Sequence, residues 1–363
     1  MTYRAFAPEK VFIASSVAEE PLTKRVLDRL PGAQHILLPE EGGLFPQVTE
    51  EEAAHSLLLA RQRGHFAKPC PGTKGYICCG YWNLNVAMGC TIGCRYCILQ
   101  GYLNCPVATI YTNSADLWQE LDELLARRWP AAVRIGTGEL ADSLAFDHLI
   151  DLNRELVRYF ADKRHALLEL KTKTDTIAPL LGLEHGRRTV LSWSLNTARM
   201  VAAHEPNSAP LTRRLEAAQK AQDAGYRLGF HFDPLIWYEG WKEEYAGVVD
   251  RLFSFARPEN IAWISLGALR YPAHLDELIR ERHRQSDLPL GELVPGKDGK
   301  LRYFRAIREE MFQWLYQRIR LHAPHVLVYL CMESDEVWRR SFGWSPGDSA
   351  GLARLLDERV HLP

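Results

Sequence analysis

Long apolar runs are missing from these 363 residues. No stretch of about 18 apolar residues occurs that would span a bilayer. The opening MTYRAFAPEKVFIASSVAEE lacks the charged start and apolar centre of a signal peptide. The expectation is a cytoplasmic protein without membrane contact. An excess of one charge is missing too: 44 Lys and Arg stand against 45 Asp and Glu, a net charge of -1. Nucleic acid would therefore have to be met by a local basic patch, not by a global field. Low-complexity segments and a long internal repeat are also absent, which excludes a disordered tail and a solenoid.

What is present is a chain with 47% hydrophobic residues, long enough for one large α/β domain or two smaller ones. Residues 10–60 read as a small α/β unit. KVFIASS and QHILLP are strand-like, VAEEPLTKRVLDRL is helical, and VTEEEAAHSLLLARQRG is a second helix with acids in its first turn. The Pro and Gly of PCPGTKG mark a linker, so the expected units are 1–75, 76–335 and a C-terminal segment 336–363. From Tyr76, short apolar strands alternate with helical stretches. AAVRIGTG leads into LAFDHLIDLNRELVRYFADK, HALLELKTK into a helix near DTIAPLLGL, and TVLSWSLN into PLTRRLEAAQKAQDAG; YRLGFHFDPL, IAWISLG and HVLVYLCME follow. Such alternation calls for a parallel sheet covered by helices, and about six repeats suit an open or partial barrel. Functional residues are then expected at the carboxyl ends of the strands.

Six of the eight cysteines fall between residues 70 and 97, with Cys105 just after and Cys331 alone. Clustering of this kind in a large chain expected to be cytoplasmic favours metal or redox chemistry over a disulfide scaffold. Cys90, Cys94 and Cys97 have the spacing CxxxCxxC. Three thiolates on a short loop can hold three irons of a 4Fe-4S cubane and leave the fourth iron open. The rival is zinc, which takes paired cysteines and a fourth ligand; Cys70, Cys78 or Cys79 could offer one. The open-iron loop resembles that of radical SAM enzymes, in which the fourth iron chelates S-adenosylmethionine (SAM).

The segments CRYCILQGYLN, LELKTKTD, LSWSLN, GFHFDPLIWYEGW and LGALRYP resemble consecutive parts of the spore photoproduct lyase family across most of residues 76–335. The resemblance implies a partial (β/α)6 TIM-type barrel with a small N-terminal α/β subdomain. It also implies a 4Fe-4S cluster and SAM as cofactors, and repair of a thymine dimer in DNA. In that chemistry a 5′-deoxyadenosyl radical takes hydrogen from thymine C6. Carried over by position, Lys173 and Ser194 match SAM contacts, and Asn196 and His231 are neighbouring candidates. Asp233, Tyr238 and Trp241 are candidates to hold or stack on bases, with packing as the competing role.

Two positions depart from the family pattern. Aligning Asp147-His148-Leu149 with the segment that follows the family's hydrogen-donor cysteine puts Glu139 at the cysteine's place, and Ile98 stands where the family has a tyrosine. Hydrogen would then return from 5′-deoxyadenosine, from Tyr96, or from another cysteine such as Cys105. Glu139 ends Gly136-Thr-Gly-Glu, which also resembles the Gly-Gly-Glu of other radical SAM enzymes, whose acid binds the SAM amino group. PGKDGKLRYFRAIREE reads as a β-hairpin (290–306) followed by a helix, carrying Lys297, Lys300, Arg302, Arg305 and Arg308, and its position resembles the family's hairpin, with Arg302 and Tyr303 matching a lesion-facing pair at its tip. The expected partners are damaged DNA and an electron donor such as flavodoxin or ferredoxin, and the expected state is a monomer. Two readings stay open beside it: a radical SAM enzyme for another lesion or a small molecule, and a non-catalytic iron-sulfur protein.

Overall fold

Strands form here where short apolar runs are buried on both faces, the habit of parallel sheets. A computed structural model describes residues 3–39 and 46–362. The first strands, β1 (Lys10–Ala14), β2 (Gln34–Leu38) and β3 (Ser56–Ala60), run parallel with β1 in the middle. Next come β4 (Ala67–Pro69), β5 (Trp82–Leu84), β6 (Ala87–Met88) and β7 (Ala108–Tyr111). The five-stranded sheet has the order β2-β1-β3-β7-β6.

The SLLLA run expected inside a helix is β3, buried along its whole length. The helix before it spans only Glu50–Ala54, closed by a capping box between Thr49 and Glu52. Five residues of helix end where the apolar run begins, because β3 lies between β1 and β7 and must be apolar on both faces. The boundary expected at residue 75 does not separate the sheets. Strands β6 and β7 complete the first sheet, while β4 joins the second.

That second sheet adds β8 (Val133–Gly136), β9 (Ala166–Thr172), β10 (Thr189–Ser194), β11 (Arg227–Leu235) and β12 (Ile261–Ala268). After β13 (Arg270–Pro272), β14 (Leu293–Pro295) and β15 (Lys300–Tyr303) comes β16 (Val328–Leu330). Its order is β16-β12-β11-β10-β9-β8-β5-β4, and only the β4–β5 edge pair is antiparallel. This is the expected partial barrel, extended by β16 beyond the six strands β5 and β8–β12. The helices between the strands lie over the sheet, but two differ from expectation. The stretch after β8 is broken at Asp151, whose φ is 53°, into Asp147–Ile150 and Leu152–Phe160. DTIAPLLGL holds only a 3-10 turn at Ala178–Leu180, with Pro179 near its start removing a backbone donor.

The expected hairpin is present. Strands β14 and β15 pair antiparallel, β13 lies on the other side of β15, and helix Arg305–His322 follows. Gly299 closes the turn in the left-handed region, φ 74°.

Candidate active site

The cysteine loop follows β6 and is tied down by side chains on both flanks. Gln100 Nε2 donates to the carbonyls of Cys94 and Arg95, each at 3.0 Å, and Asn207 Nδ2 donates to Thr91 O at 3.0 Å. Cys97 N donates to Cys94 O at 3.0 Å, which curls the loop. Cys90, Cys94 and Cys97 thereby line one cavity of about 560 Å³ at the carboxyl ends of the barrel strands. Burial pushes all three thiols up, Cys90 to about 12, while Lys173 draws Cys94 and Cys97 back down. Neutral thiols in such a place become thiolates when a metal supplies the positive charge.

Glu139, Lys173 and Ser194 line the same cavity. The segment after β8 is clamped to the end of β9. Asp142 accepts from Lys173 N at 2.6 Å and from Thr172 Oγ1 at 2.7 Å, and Ser143 Oγ accepts from Lys171 N at 3.0 Å. Gly138 keeps this clamp close, since a Cβ there would sit 3.0 Å from Lys171 Cβ. Gly136 has a different reason: its Cβ would meet the Tyr81 hydroxyl at 1.8 Å, so this glycine makes room for Tyr81.

Beneath the loop lies a buried charge network built around Glu205. Tyr96 OH and Arg214 Nη2 both donate to its carboxylate, and Arg214 Nη1 donates to Ser194 O at 2.8 Å. Burial alone would raise Glu205, but Arg214, Lys173 and Tyr96 outweigh it and hold the carboxyl below its ordinary range. Burial likewise opposes a charged Lys173, and Cys94 and Glu205 reverse the balance, leaving the ammonium above its ordinary value. Neither Glu205 nor Arg214 belongs to a motif. An acid inside the polar loop HEPNS offers no signal until the fold carries it under the cysteines. Asp142 was more accessible to sequence reasoning, as an acid just past a strand-end Gly-Thr-Gly-Glu.

Not every expected site residue reaches this cavity. Asn196 is spent on packing: its amide accepts from Tyr245 OH at 2.7 Å and donates to Pro234 O at 3.1 Å. His231 lies inside the barrel, its ring nitrogens bonded to Ser265 Oγ at 2.6 Å and Glu169 Oε1 at 2.8 Å. Asp233 is held by both outer nitrogens of Arg270, each at 3.1 Å. Tyr238 is buried with its hydroxyl 2.8 Å from Thr197 Oγ1, and Trp241 packs edge-on to Tyr245 and Trp314. Arg302 and Tyr303 are not at the hairpin tip. They end β15 at 2% and 4% exposure, Arg302 bonded to Asp298 at 2.6 Å and Tyr303 OH accepting from Trp237 N at 3.2 Å. Strand pairing on both sides of β15 turns these side chains inward.

Tyr96 lines the cavity but its hydroxyl is engaged by Glu205, and Cys105 lines the far rim with its thiol toward Val107 O at 3.5 Å. Ile98, by contrast, is 41% exposed. Cys70, Cys78, Cys79 and Cys331 are free thiols outside this lining, so none of them stands as a fourth ligand beside the triad.

The profile of the spore photoproduct lyase family matches residues 78–320. The spore photoproduct lyase of Bacillus subtilis (strain 168) is 27% identical over 331 residues, 88% of this chain and 92% of that protein. That of Clostridium acetobutylicum is 27% identical over 199 residues, 53% of this chain and 56% of its own. A solved spore photoproduct lyase variant with dinucleoside spore photoproduct superposes at a TM-score of 0.80 and 22% identity, covering 90% of this chain and 99% of the other. A second, with bound AdoMet and the same dinucleoside, gives 0.80 at 21%, covering 91% and 100%. The cysteine loop, the strand-end residues around it and the family profile thus coincide over most of the length, and the chain belongs to the spore photoproduct lyase family.

Proposed function

We propose that this chain is a radical SAM lyase that repairs a thymine dimer of the spore photoproduct type in DNA. The observation that carries the reading is the cavity itself, lined by Cys90, Cys94 and Cys97 together with Glu139, Lys173 and Ser194. Among the described residues, no group of three or more Cys, His, Asp or Glu side chains closes around a single metal ion. Three thiols of one short loop lining one cavity fit a 4Fe-4S cluster better than zinc, which takes paired cysteines and a fourth ligand. Bound there, cluster and SAM supply a 5′-deoxyadenosyl radical for hydrogen abstraction.

The chain's own residues then have definite tasks. Cys90, Cys94 and Cys97 hold the cluster. Lys173 offers its ammonium to the SAM carboxylate, Ser194 its hydroxyl to a ribose, and Glu139 its carboxylate to the amino group. Asp142 and Ser143 keep Lys173 and Lys171 in register by their backbone hydrogen bonds. The buried Glu205–Arg214 pair holds Tyr96 and the loop above it in place. Walls that exclude water protect a primary alkyl radical from solvent. The DNA partner and a flavodoxin- or ferredoxin-type electron donor belong to the same reading.

Reconstituted protein given dithionite and SAM is expected to form 5′-deoxyadenosine, and Cys94→Ala to abolish it; undiminished product in the variant overturns the cluster assignment. DNA carrying spore photoproduct is expected to regain thymines. Glu139, at the place of the family's cysteine, favours a second reading in which the same chemistry acts on another lesion or a small molecule. Active SAM cleavage without thymine recovery would select it.

A further inference from the structure

The cysteine-lined cavity lies at the carboxyl ends of the barrel strands, and a second cavity, of about 580 Å³, lies at their opposite ends. Its walls include Trp129 ahead of β8, Arg164 and His165 ahead of β9, Arg188 ahead of β10, and His361. Arg227, the first residue of β11, stands behind them, close to Arg187, Arg188 and Arg359. Parallel strands bring these positions together because their amino ends share one edge of the sheet.

Arg164 and Arg188 line the cavity and Arg187, Arg227 and Arg359 stand close by, with Glu259 near Arg359 as the acidic neighbour. Among the described residues, none of Arg164, Arg187, Arg188, Arg227 and Arg359 lies within 4.0 Å of a carboxylate oxygen. Arg359 is bonded to the carbonyls of Pro258 and Ile261, and Arg187 to Gly225 O and Asn260 Oδ1. Arg227 is only 9% exposed, yet its Nε has no acceptor. Burial and its arginine neighbours pull Arg227 down to about 10, and burial with Arg164 lowers Arg188. Like charges in a recess focus a positive potential that an anion relieves.

We propose that this second cavity is a phosphate site, with Arg164 and Arg188 as direct ligands and Arg227 supplying charge from behind. Several converging guanidinium forks suit the many oxygens of a phosphate dianion, where a single carboxylate would occupy one fork. Trp129, 61% exposed beside these arginines, provides a surface for a ring attached to the phosphate. The phosphate comes either from a small phosphorylated molecule or from a nucleic-acid backbone. The site is independent of the reaction proposed for the opposite end of the barrel.

The test uses the full chain in low-salt buffer, titrated with inorganic phosphate and pyrophosphate at ionic strength held constant with chloride. Both are expected to bind and to raise Tm. Arg188→Gln and Arg164→Gln are each expected to weaken binding by about tenfold, as loss of one charge-assisted contact does. Each variant should also raise Tm when phosphate is absent, since it relieves repulsion, whereas an arginine with a merely structural role would lower it. A duplex oligonucleotide arm, read by fluorescence anisotropy, separates the sources. Weaker duplex binding by the variants assigns the site to backbone phosphate, and unchanged duplex binding beside lost phosphate binding assigns it to a small molecule. Phosphate, pyrophosphate and duplex affinities all unaffected by both substitutions would overturn the proposal.

Discussion

Lys173 shows how one residue's role is set by neighbours from distant parts of the chain. Its backbone N–H is fixed by Asp142, and its half-buried ammonium stands near Cys94, Glu205 and the Tyr96 ring, the last 5.9 Å away. Lys173→Met keeps most of the stem and removes the charge. The expected result is a rise of about tenfold in the SAM dissociation constant, in line with ~1.5–3 kcal/mol for a hydrogen bond to a charged group. Equilibrium binding to reconstituted protein measures it, with iron content as the control for an intact cluster. Unchanged affinity would reduce Lys173 to a counter-charge for Glu205. At this scale the three cysteines were legible because their spacing is itself the chemical requirement. Lys173, Ser194 and Glu139 line the cavity because strand ends meet it. Asn196 and His231 sit at strand ends too, but their polar groups are consumed by Tyr245 and Glu169. Sequence shows where a side chain stands in its strand, and partners elsewhere decide whether it is free.

At the scale of elements, the break between Asp147–Ile150 and Leu152–Phe160 carries a titratable group into the core. Asp147 is 5% exposed and accepts from Asn153 N at 3.1 Å. Burial outweighs that hydrogen bond and pushes its carboxyl from 3.8 to about 6. A carboxyl raised on folding binds its proton more tightly in the native state, so its contribution to stability falls as pH rises from about 4 to 6. Asp147→Asn is expected to flatten that slope and to gain up to ~3 kcal/mol at pH 7, a rise of about two pKa units at ~1.4 kcal/mol each. Urea unfolding of both proteins at pH 4 and pH 7 measures it. A variant less stable than the parent at pH 7 would show that the carboxylate's acceptor role matters more than its burial.

Elements were also where sequence reasoning failed most plainly. SLLLA, next to a helix-forming acidic run, carries no period that separates a buried strand from a buried helix turn. Only its place between β1 and β7 makes it β3. Arg302 and Tyr303 were legible as part of a hairpin, but their inward direction depends on β13 pairing with the far side of β15.

The whole molecule is organised around a polar barrel interior. Glu169 on β9 accepts from Trp263 Nε1 at 3.1 Å and Ser192 Oγ at 2.5 Å and is bonded to His231, joining four neighbouring strands. Burial pushes this carboxyl up, yet the His231 ring, Lys171 and Ser192 outweigh it and bring it down to about 2. A carboxyl lowered on folding stabilises the protein above its unfolded value of 4.5, and that contribution is lost as pH falls toward 2. Glu169→Gln is expected to cost ~3–5 kcal/mol at neutral pH, the scale of breaking a buried pair. It should also remove part of the acid-unfolding transition, which circular dichroism between pH 2 and 5 would follow. Wild-type stability in the variant would mean the network is not what ties the strands together.

The sequence by itself determined the chemistry that depends on local spacing: three cysteines on one loop, the alternation of strands and helices, and the hairpin with its turn. Tertiary structure alone decided what depends on distant partners. It placed Glu205 and Arg214 beneath the loop, turned Arg302 inward, spent His231 on Glu169 and gathered arginines at the strands' amino ends. The cysteine triad lies within eight residues of chain, from Cys90 to Cys97, so its meaning survives without the fold. Burial and charge balance are sums over neighbours brought from everywhere in the chain, and no local stretch of sequence contains them.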